Sequence, residues 1–249
     1  MSRPVILMFL AGLLCGPFAQ GADEVNLDQI RALATNYFRD STEIPMSVDV
    51  TTLVTDAGGK AKHQSRATAG MVFNGYNKGA GKFSLRANAG VMSAGAMRDS
   101  VSGDLAAFFA GGLISKKDPA HTLAIRQPAK PGEPIVVVVT EGDCPPLELM
   151  PRWMFPQHPC GSARFTVNAG SHGGLTFQSF RFDSSGPPGA AKVAYLGDVQ
   201  VQAFHAEVEF QEGVLPGDRN PYLWPLAAVT SVTTNKGKVT IGNRYSPKK

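Results

Sequence analysis

Histidine is the residue here with the widest chemical range, because a neutral imidazole binds metal ions and accepts protons near neutral pH. The chain has five histidines, and no two of them stand at a metal-ligand spacing such as His-x-x-x-His: they are His63, His121, His158, His172 and His205. This scatter predicts no metal site. No other motif indicates a cofactor or a catalytic residue.

His205 lies in an alternating segment that runs from Val199 to Gln211. Successive side chains of a strand point to opposite faces. One predicted face is apolar and holds Phe204, Ala206, Val208 and Phe210. The other face holds His205 together with Val201, Ala203, Glu207 and Glu209. We therefore expect His205 and the two glutamates to point toward water.

A serine nucleophile is not indicated by the local sequence. The signature Gly-x-Ser-x-Gly is absent, although Ser171 directly precedes His172 in a glycine-rich segment. Neighbours in sequence rarely face each other as nucleophile and base, so a turn between two strands explains this segment better. A secreted hydrolase stays a remote alternative, which would require carboxylates to converge about 5 to 10 Å apart. The candidates are Asp143, Glu148, Glu207 and Glu209.

Residues 1–21 have the features of a cleavable secretory signal peptide. Arg3 precedes an apolar run from Val5 to Leu14, which is well short of the roughly 20 residues of a membrane-spanning helix. A small-x-small cleavage site, Ala19-Gln20-Gly21, follows. We expect a mature chain of residues 22–249, exported to the bacterial periplasm or secreted, without a transmembrane segment.

The cysteines fit an exported protein. Cys144 and Cys160 form an even pair, which predicts a disulfide bond in an oxidising compartment. The bond would close a loop of about 15 residues and stabilise the fold by about 3 kcal/mol in the chain-entropy model. A redox role is disfavoured by the long spacing, and a zinc site would need His158 and one more ligand. Lipidation of Cys15 is the alternative to its removal with the signal, disfavoured because Leu14 precedes it.

The segment between Cys144 and Cys160 is rich in proline and carries methionine and aromatic residues. Such side chains together make an adaptable apolar surface. We expect them either to cap the open end of a barrel or to line the rim of a ligand cavity. The candidate rim residues are Met150, Trp153, Met154 and Phe155.

The charge of the chain is nearly balanced, with 24 basic and 20 acidic side chains. The lysine pairs Lys116-Lys117 and Lys248-Lys249 are of the kind that solvated surfaces carry. No Lys/Arg cluster with interleaved aromatic residues occurs. The sequence therefore does not indicate a nucleic-acid partner.

The first predicted element is an amphipathic helix that begins after Asn26. Apolar residues recur three and four positions apart at Leu27, Ile30, Leu33, Tyr37 and Phe38. Gln29 stands three positions after Asn26, as in a capping box. Charged residues fall mostly off the apolar stripe, so we expect the helix to pack against a sheet.

Most of the remaining chain has the alternating, β-branched texture of antiparallel strands. A meander is predicted at 46–55, 61–74 and 82–88, with turns at 56–60 and 79–81. Later strands are predicted at 163–168, 175–182, 198–211, 226–234 and 238–245. The last two form a hairpin through Asn235-Lys236-Gly237.

The middle of the chain is less regular. A short second helix is predicted at 102–113, and the proline-rich stretch 126–134 resembles a linker. The apolar run 135–140 predicts a central strand that is buried on both faces. We expect one domain over 22–249 with an α+β, mainly β fold. Its curved antiparallel sheet forms an incomplete barrel, with an N-terminal helix and a short second helix.

The C-terminal strands carry a resemblance to a known family. Val208-Glu-Phe-Gln-Glu-Gly-Val-Leu-Pro216 precedes Trp224-Pro225, and the final hairpin ends in Asn243-Arg-Tyr245. Together with the opening helix and meander, this pattern resembles the LolA/LolB-like half-barrel superfamily of periplasmic lipoprotein carriers. The proline-rich loop at 143–160 has no counterpart in that pattern. The resemblance implies an incomplete barrel that holds helices against its concave face, with an apolar cavity for acyl chains or a lipidated partner.

We therefore expect an exported, non-enzymatic binding protein that shelters a lipid or a lipidated partner in a half-barrel cavity. The alternative is an envelope interaction or structural module with a solid core, which would contact another envelope protein through an apolar patch or an edge strand. An apolar cavity that is open at one rim would distinguish the first function from the second.

Overall fold

The computed structural model of the protein describes residues 25–37, 40–75, 80–88, 121–130, 133–141, 160–169, 174–185, 189–214 and 221–248. They form one helix, α1 (Leu27–Tyr37), and eleven strands. The strands are β1 (Asp40–Asp56), β2 (Ala61–Gly75), β3 (Ala80–Asn88), β4 (His121–Arg126), β5 (Ile135–Glu141), β6 (Cys160–Ala169), β7 (Leu175–Ser185), β8 (Gly189–Val193), β9 (Gly197–Val214), β10 (Pro221–Thr234) and β11 (Gly237–Pro247). The predicted signal peptide and the predicted helix at 102–113 lie outside the described residues.

All strands belong to one antiparallel sheet. Their order is β3-β2-β1-β11-β10-β9-β7-β6-β5-β4, and β8 pairs with β9 beside this path. The C-terminal hairpin β10-β11 therefore lies inside the sheet, where β11 pairs with β1. The linker-like stretch at 126–134 joins β4 to β5, which pair directly. The sheet is not closed into a barrel, and the predicted mainly β fold with an N-terminal helix is confirmed.

The predicted capping box of α1 is present. The backbone N–H of Asn26 donates to Oε1 of Gln29 at 2.8 Å, and the N–H of Gln29 donates to Oδ1 of Asn26 at 3.0 Å. These two bonds satisfy amide groups that the first turn of a helix otherwise leaves without a partner. The start of α1 is thus fixed by two residues that are local in sequence.

Helix α1 crosses the concave side of the sheet, as its apolar stripe predicts. It buries Ile30, Ala34 and Tyr37 and packs against β10 and β4. Four strands separate β10 from β4 in the sheet order. At the N-terminal side of the helix, Nε2 of Gln127 donates to the carbonyl oxygen of Val25 at 2.7 Å.

The core is one hydrophobic cluster on the concave side, with residues from α1 and from strands along most of the sheet. Its largest fully buried aromatic side chains are Phe73, Phe165, Phe177, Phe180, Phe182, Tyr222 and Tyr245. The ring centroid of Phe165 lies 4.9 Å from that of Phe180 and 5.7 Å from that of Phe177. Tilted and edge-on ring pairs at such distances contribute about 0.5 to 1.5 kcal/mol beyond their burial.

Two ring contacts show how strongly the sheet curls. Phe73 of β2 and Tyr222 of β10 have centroids 6.2 Å apart, whereas three strand spacings in a flat sheet amount to about 14 Å. His63 of β2 stacks on Tyr195, in the turn between β8 and β9, with centroids 4.4 Å apart and an angle of 6° between the rings. The curvature therefore brings β2 toward β10 and β9 across the concave side.

Strand β9 follows its predicted alternation from Ala203 onward but not before it. The pairing with β10 shifts register between Ala203 and Val201, so Gln202 is the extra residue of a β-bulge. A bulge reverses which face the following side chains occupy. Val201 is consequently 1 % exposed and lies in the core. Its predicted place on the face of His205 was wrong for this reason.

Strand β5 also differs from its prediction. It lies between β6 and the terminal strand β4. Ile135 and Val137 are buried, whereas Val136 and Val138 are only partly buried. The strand is therefore near the end of the sheet and buries one face, not both.

Candidate functional site

Most of the site residues proposed from the sequence lie outside the described residues. These are Cys144, the four rim residues Met150, Trp153, Met154 and Phe155, and the pair Ser171 and His172. Cys160 is the first residue of β6. The disulfide bond and the cavity rim accordingly stay predictions.

The backbone pairing between β7 and β9 is incomplete. Strands β7 and β9 pair only from Ser179–Glu209 to Asp183–His205. Beyond Glu209, β9 continues to Val214 beside β10, while β7 extends back to Leu175 beside β6. We call this region, Leu175–Gln178 of β7 and Phe210–Val214 of β9, the split end of the sheet.

Tyr37, the last residue of α1, bridges the split end. Its hydroxyl donates to Oε1 of Glu212 on β9. Burial, and then the hydrogen bond to Glu212, raises the pKa of Tyr37 to about 12, and the nearby hydroxyl of Thr176 of β7 offsets part of that rise. The phenol is therefore a protonated donor at neutral pH. One helix residue thus bonds β9 and lies near β7 where the two strands separate.

Glu212 is unusual for its side of the sheet. It has the parity of Phe204, Ala206, Val208 and Phe210 and so continues the apolar face of β9. Its side chain is partly buried and stands next in this row after Phe210, which is buried. The sequence prediction missed it because the predicted strand ended at Gln211, three residues before the end of β9 at Val214. The unbroken alternation to position 212 was the signal that could have revealed it.

The outer face carries a row of charged side chains, as predicted for the polar face of β9. Nε of Arg181 donates to Asp183 at 2.8 Å, and Nδ1 of His205 lies 2.8 Å from the same carboxylate. Nε2 of His205 is 3.7 Å from Oε2 of Glu207. Nδ1 of His205 is therefore within hydrogen-bond distance of a carboxylate, whereas Nε2 and Glu207 are too far apart for a hydrogen bond.

The electrostatics of this row are those of an ion-pair network. Burial raises the pKa of Asp183, but the hydrogen bonds from Arg181 and His205 outweigh it and hold that pKa below its ordinary value. Glu207 and Glu209 share this face. Of the other carboxylates required for a hydrolase, Asp143 and Glu148 lie outside the described residues. Within the described parts of the chain, no three His, Cys, Asp or Glu side chains are placed to hold a metal ion.

A surface depression of about 440 Å³ lies beside the β8-β9 hairpin. Its walls mix charged, polar and apolar side chains: Ala190, Ala191, Lys192, Asp198, Val199, Gln200 and Asn235. This composition differs from the apolar cavity that the sequence predicts. That cavity stays a prediction.

Comparison with known proteins finds no family model, no curated protein and no solved structure that matches this chain. The resemblance to the LolA/LolB-like carriers therefore rests on the sequence segments that carry it. No helix in the described ranges has the length and apolar character needed to cross a membrane.

Proposed function

We propose that the protein is an exported, non-enzymatic binding protein for a hydrophobic ligand, either a lipid or the acyl chains of a lipidated partner. The ligand would lie against the concave face of the incomplete barrel. The observation that carries this proposal is one continuous apolar cluster on the concave side, built by α1 and by strands along most of an open sheet. The resemblance to the LolA/LolB-like carriers points in the same direction.

The open topology favours a binding role over a purely structural one. The end strands β3 and β4 do not pair with each other. A closed barrel can admit a ligand only through its ends, because every strand is bonded to two neighbours. In an open sheet the curvature can change without breaking a ladder of backbone hydrogen bonds, so an apolar chain can enter from the side.

The outer face gives little support to an enzyme. Its histidine and carboxylates are engaged with one another, and Arg181 is paired with Asp183. Nδ1 of His205 bonds Asp183, and within the described part of this face no hydrogen bond joins His205 to a serine or cysteine that could act as a nucleophile. A binding function therefore fits the described residues better than hydrolysis.

Native mass spectrometry tests this proposal. The full chain is produced in a bacterium, purified gently from the exported fraction and measured before and after denaturation. We expect an adduct of lipid mass that is released on denaturation, a mature chain that starts at Ala22, and a mass lower by two hydrogen atoms than that of the reduced chain.

A bare chain that also fails to take up added lipid would contradict the proposal. It would favour the alternative of an envelope interaction module with a solid core. The N-terminus and the cysteine mass are read from the same spectrum, so export and the Cys144–Cys160 bond are tested separately from ligand binding.

A further inference from the structure

The two end strands of the sheet differ in how they present their free edge. An edge strand carries N–H and C=O groups that can pair with another extended chain, and proteins protect such edges with bulges, lysine or proline. Strand β3 has two of these features, because its pairing with β2 shifts register twice and it contains Lys82. Strand β4 pairs with β5 in one unbroken register and contains neither lysine nor proline. Of the two end strands, β4 is therefore the one whose edge is open to strand addition.

Helix α1 holds β4 in place. The helix packs against β4, and just beyond the strand Nε2 of Gln127 donates to the carbonyl oxygen of Val25 at 2.7 Å. The side chains of Leu123 and Ile125 pack on the core cluster, but each is only partly buried. A further strand beside β4 would cover both side chains. Since β4 is already extended and fixed, it would lose little conformational freedom on pairing, which favours association.

The outer face next to this edge is positively charged. The side chains of Arg126 on β4 and Arg164 on β6 are exposed. They share the outer face, because Arg126 is opposite Val136 and Arg164 is opposite Val138 on the intervening strand β5. None of the ion pairs among the described residues includes either arginine. Two guanidinium groups without a described counter-charge therefore stand beside the edge.

We propose that the edge of β4 docks an extended, acidic segment of a partner protein, which adds to the sheet as a further strand. About half of the residues of β4 direct their N–H and C=O groups away from β5, and these groups would form the new ladder. Acidic side chains on the outer face of the added strand would lie beside Arg126, and apolar side chains on its other face would extend the core past Leu123 and Ile125. This interaction does not rest on the proposed ligand binding.

Synthetic peptides test the charge and the backbone pairing separately. The full chain is titrated, by fluorescence anisotropy, with a labelled acidic peptide, Thr-Val-Glu-Val-Glu-Val-Thr, and with its lysine counterpart, Thr-Val-Lys-Val-Lys-Val-Thr. A third probe is the acidic peptide with every backbone nitrogen methylated. We expect the acidic peptide to bind about tenfold more tightly than the lysine peptide. The methylated peptide should bind at least about tenfold more weakly than the acidic one, because it has no N–H to donate to the ladder.

Charge reversal at Arg126 isolates the contribution of this side chain. Arg126→Glu should weaken binding of the acidic peptide about fivefold and remove its advantage over the lysine peptide. Lys236→Glu, in the exposed turn between β10 and β11, changes the net charge equally and is the matched control. It should bind the acidic peptide like the wild type.

Hydrogen exchange measured by NMR locates the bound peptide. In the free protein, about half of the amides of β4 should exchange quickly, because they point away from β5, and the acidic peptide should slow their exchange. Slow exchange of all β4 amides in the free protein would overturn the proposal. It would mean that another segment of the chain covers the edge, or a second copy if sedimentation shows a dimer.

The peptide results can also overturn the proposal. Equal affinities of the acidic and lysine peptides, or equal weakening by Arg126→Glu and Lys236→Glu, would contradict the charge selection. Equal binding of the methylated peptide would contradict strand addition. Failure of all three peptides to bind would remove β4 as a docking edge, and it would leave the proposed binding of a hydrophobic ligand in place.

Discussion

At one end of the sheet three tight turns close the structure, whereas at the other end β7 and β9 separate and a helix residue bridges them. The first region, the turn end, comprises residues 57–60, 194–196 and 235–236. There, Asp56 accepts hydrogen bonds from the backbone N–H groups of Gly58 and Lys60. The split end is bridged by a bond between Tyr37 and Glu212, which are 175 positions apart in the sequence.

The turn end and the split end differ in the kinds of contact that hold them together. The turn end is held by bonds within its turns and by two hydrogen bonds that join Asn235 to the backbone of Gln200 on β9. Further rigidity comes from the stacking of His63 on Tyr195. The split end depends on a side-chain bond between distant elements, which can break and re-form without unfolding a strand. The split end is therefore the less restrained of the two regions.

The largest effect is expected at the turn end, from Gly237→Ala. A Cβ at this position would lie 2.0 Å from the carbonyl oxygen of Thr55, and the residue has a φ of 155°. The backbone of β1 cannot move away without breaking its pairing with β11. We expect a loss of roughly 2 to 4 kcal/mol in the free energy of unfolding, measured by urea denaturation.

Gly58→Ala is the matched control in a neighbouring turn. An added Cβ there would meet Oδ1 of Asp56 at 3.4 Å, an ordinary contact. We expect a change within about 1 kcal/mol. Equal effects of the two substitutions would mean that the close approach of β1 does not restrict position 237 to glycine.

At the split end, Tyr37→Phe should have the next largest effect. The change removes the donor and leaves Glu212 partly buried without that bond, which should cost about 1 to 3 kcal/mol in unfolding free energy. Tyr195→Phe is the control, because it keeps the ring stacked on His63. A cost as large for Tyr195→Phe would contradict the special role given to the hydroxyl of Tyr37.

Alkaline pH tests the same bond in the unmodified protein. Because the pKa of Tyr37 is raised from 10.0 to about 12, the folded state favours the protonated phenol. Its contribution to stability is complete below pH 10 and is lost as the pH rises through 12. Unfolding midpoints measured across this window should fall less for Tyr37→Phe than for the wild type. Identical slopes would contradict the assignment.

The smallest effect is expected from Asn26→Ala, which removes the cap of α1. Loss of such a cap costs about 1 kcal/mol. Asn36→Ala, at an exposed position of the same helix, should be neutral or slightly stabilising because alanine is the better helix former. Denaturation curves that rank these two variants in the opposite order would show that the capping box does not stabilise α1.

Much of the fold could be predicted from the sequence because its signals are local. The capping box needs only Asn26 and Gln29, and the final hairpin needs the turn at Asn235-Lys236-Gly237. Alternation placed His205 and Glu207 on the outer face of β9 correctly. Each of these features is determined by residues a few positions apart.

The features that were missed depend on contacts distant in sequence. The beginning of β10 at Pro221 was hidden by Pro225, which cannot donate a ladder hydrogen bond. The structure accommodates this proline at a register shift, and pairing with β11 starts only at Ala227. The bulge at Gln202 and the partner of Tyr37 are likewise fixed by neighbouring strands. No local sequence pattern indicates the bulge at Gln202 or the partner of Tyr37.

The central claim is that the concave face binds an apolar ligand, and two alanines on β9 test it most directly. Ala206 lies in the core on the concave side, and Ala203 lies on the outer face. Binding of Nile red is titrated for Ala206→Phe and Ala203→Phe, with circular dichroism confirming that both fold. We predict that Ala206→Phe weakens binding about tenfold by filling the ligand space, while Ala203→Phe binds like the wild type. Unchanged binding by a folded Ala206→Phe protein, or equal weakening by both, would contradict the account.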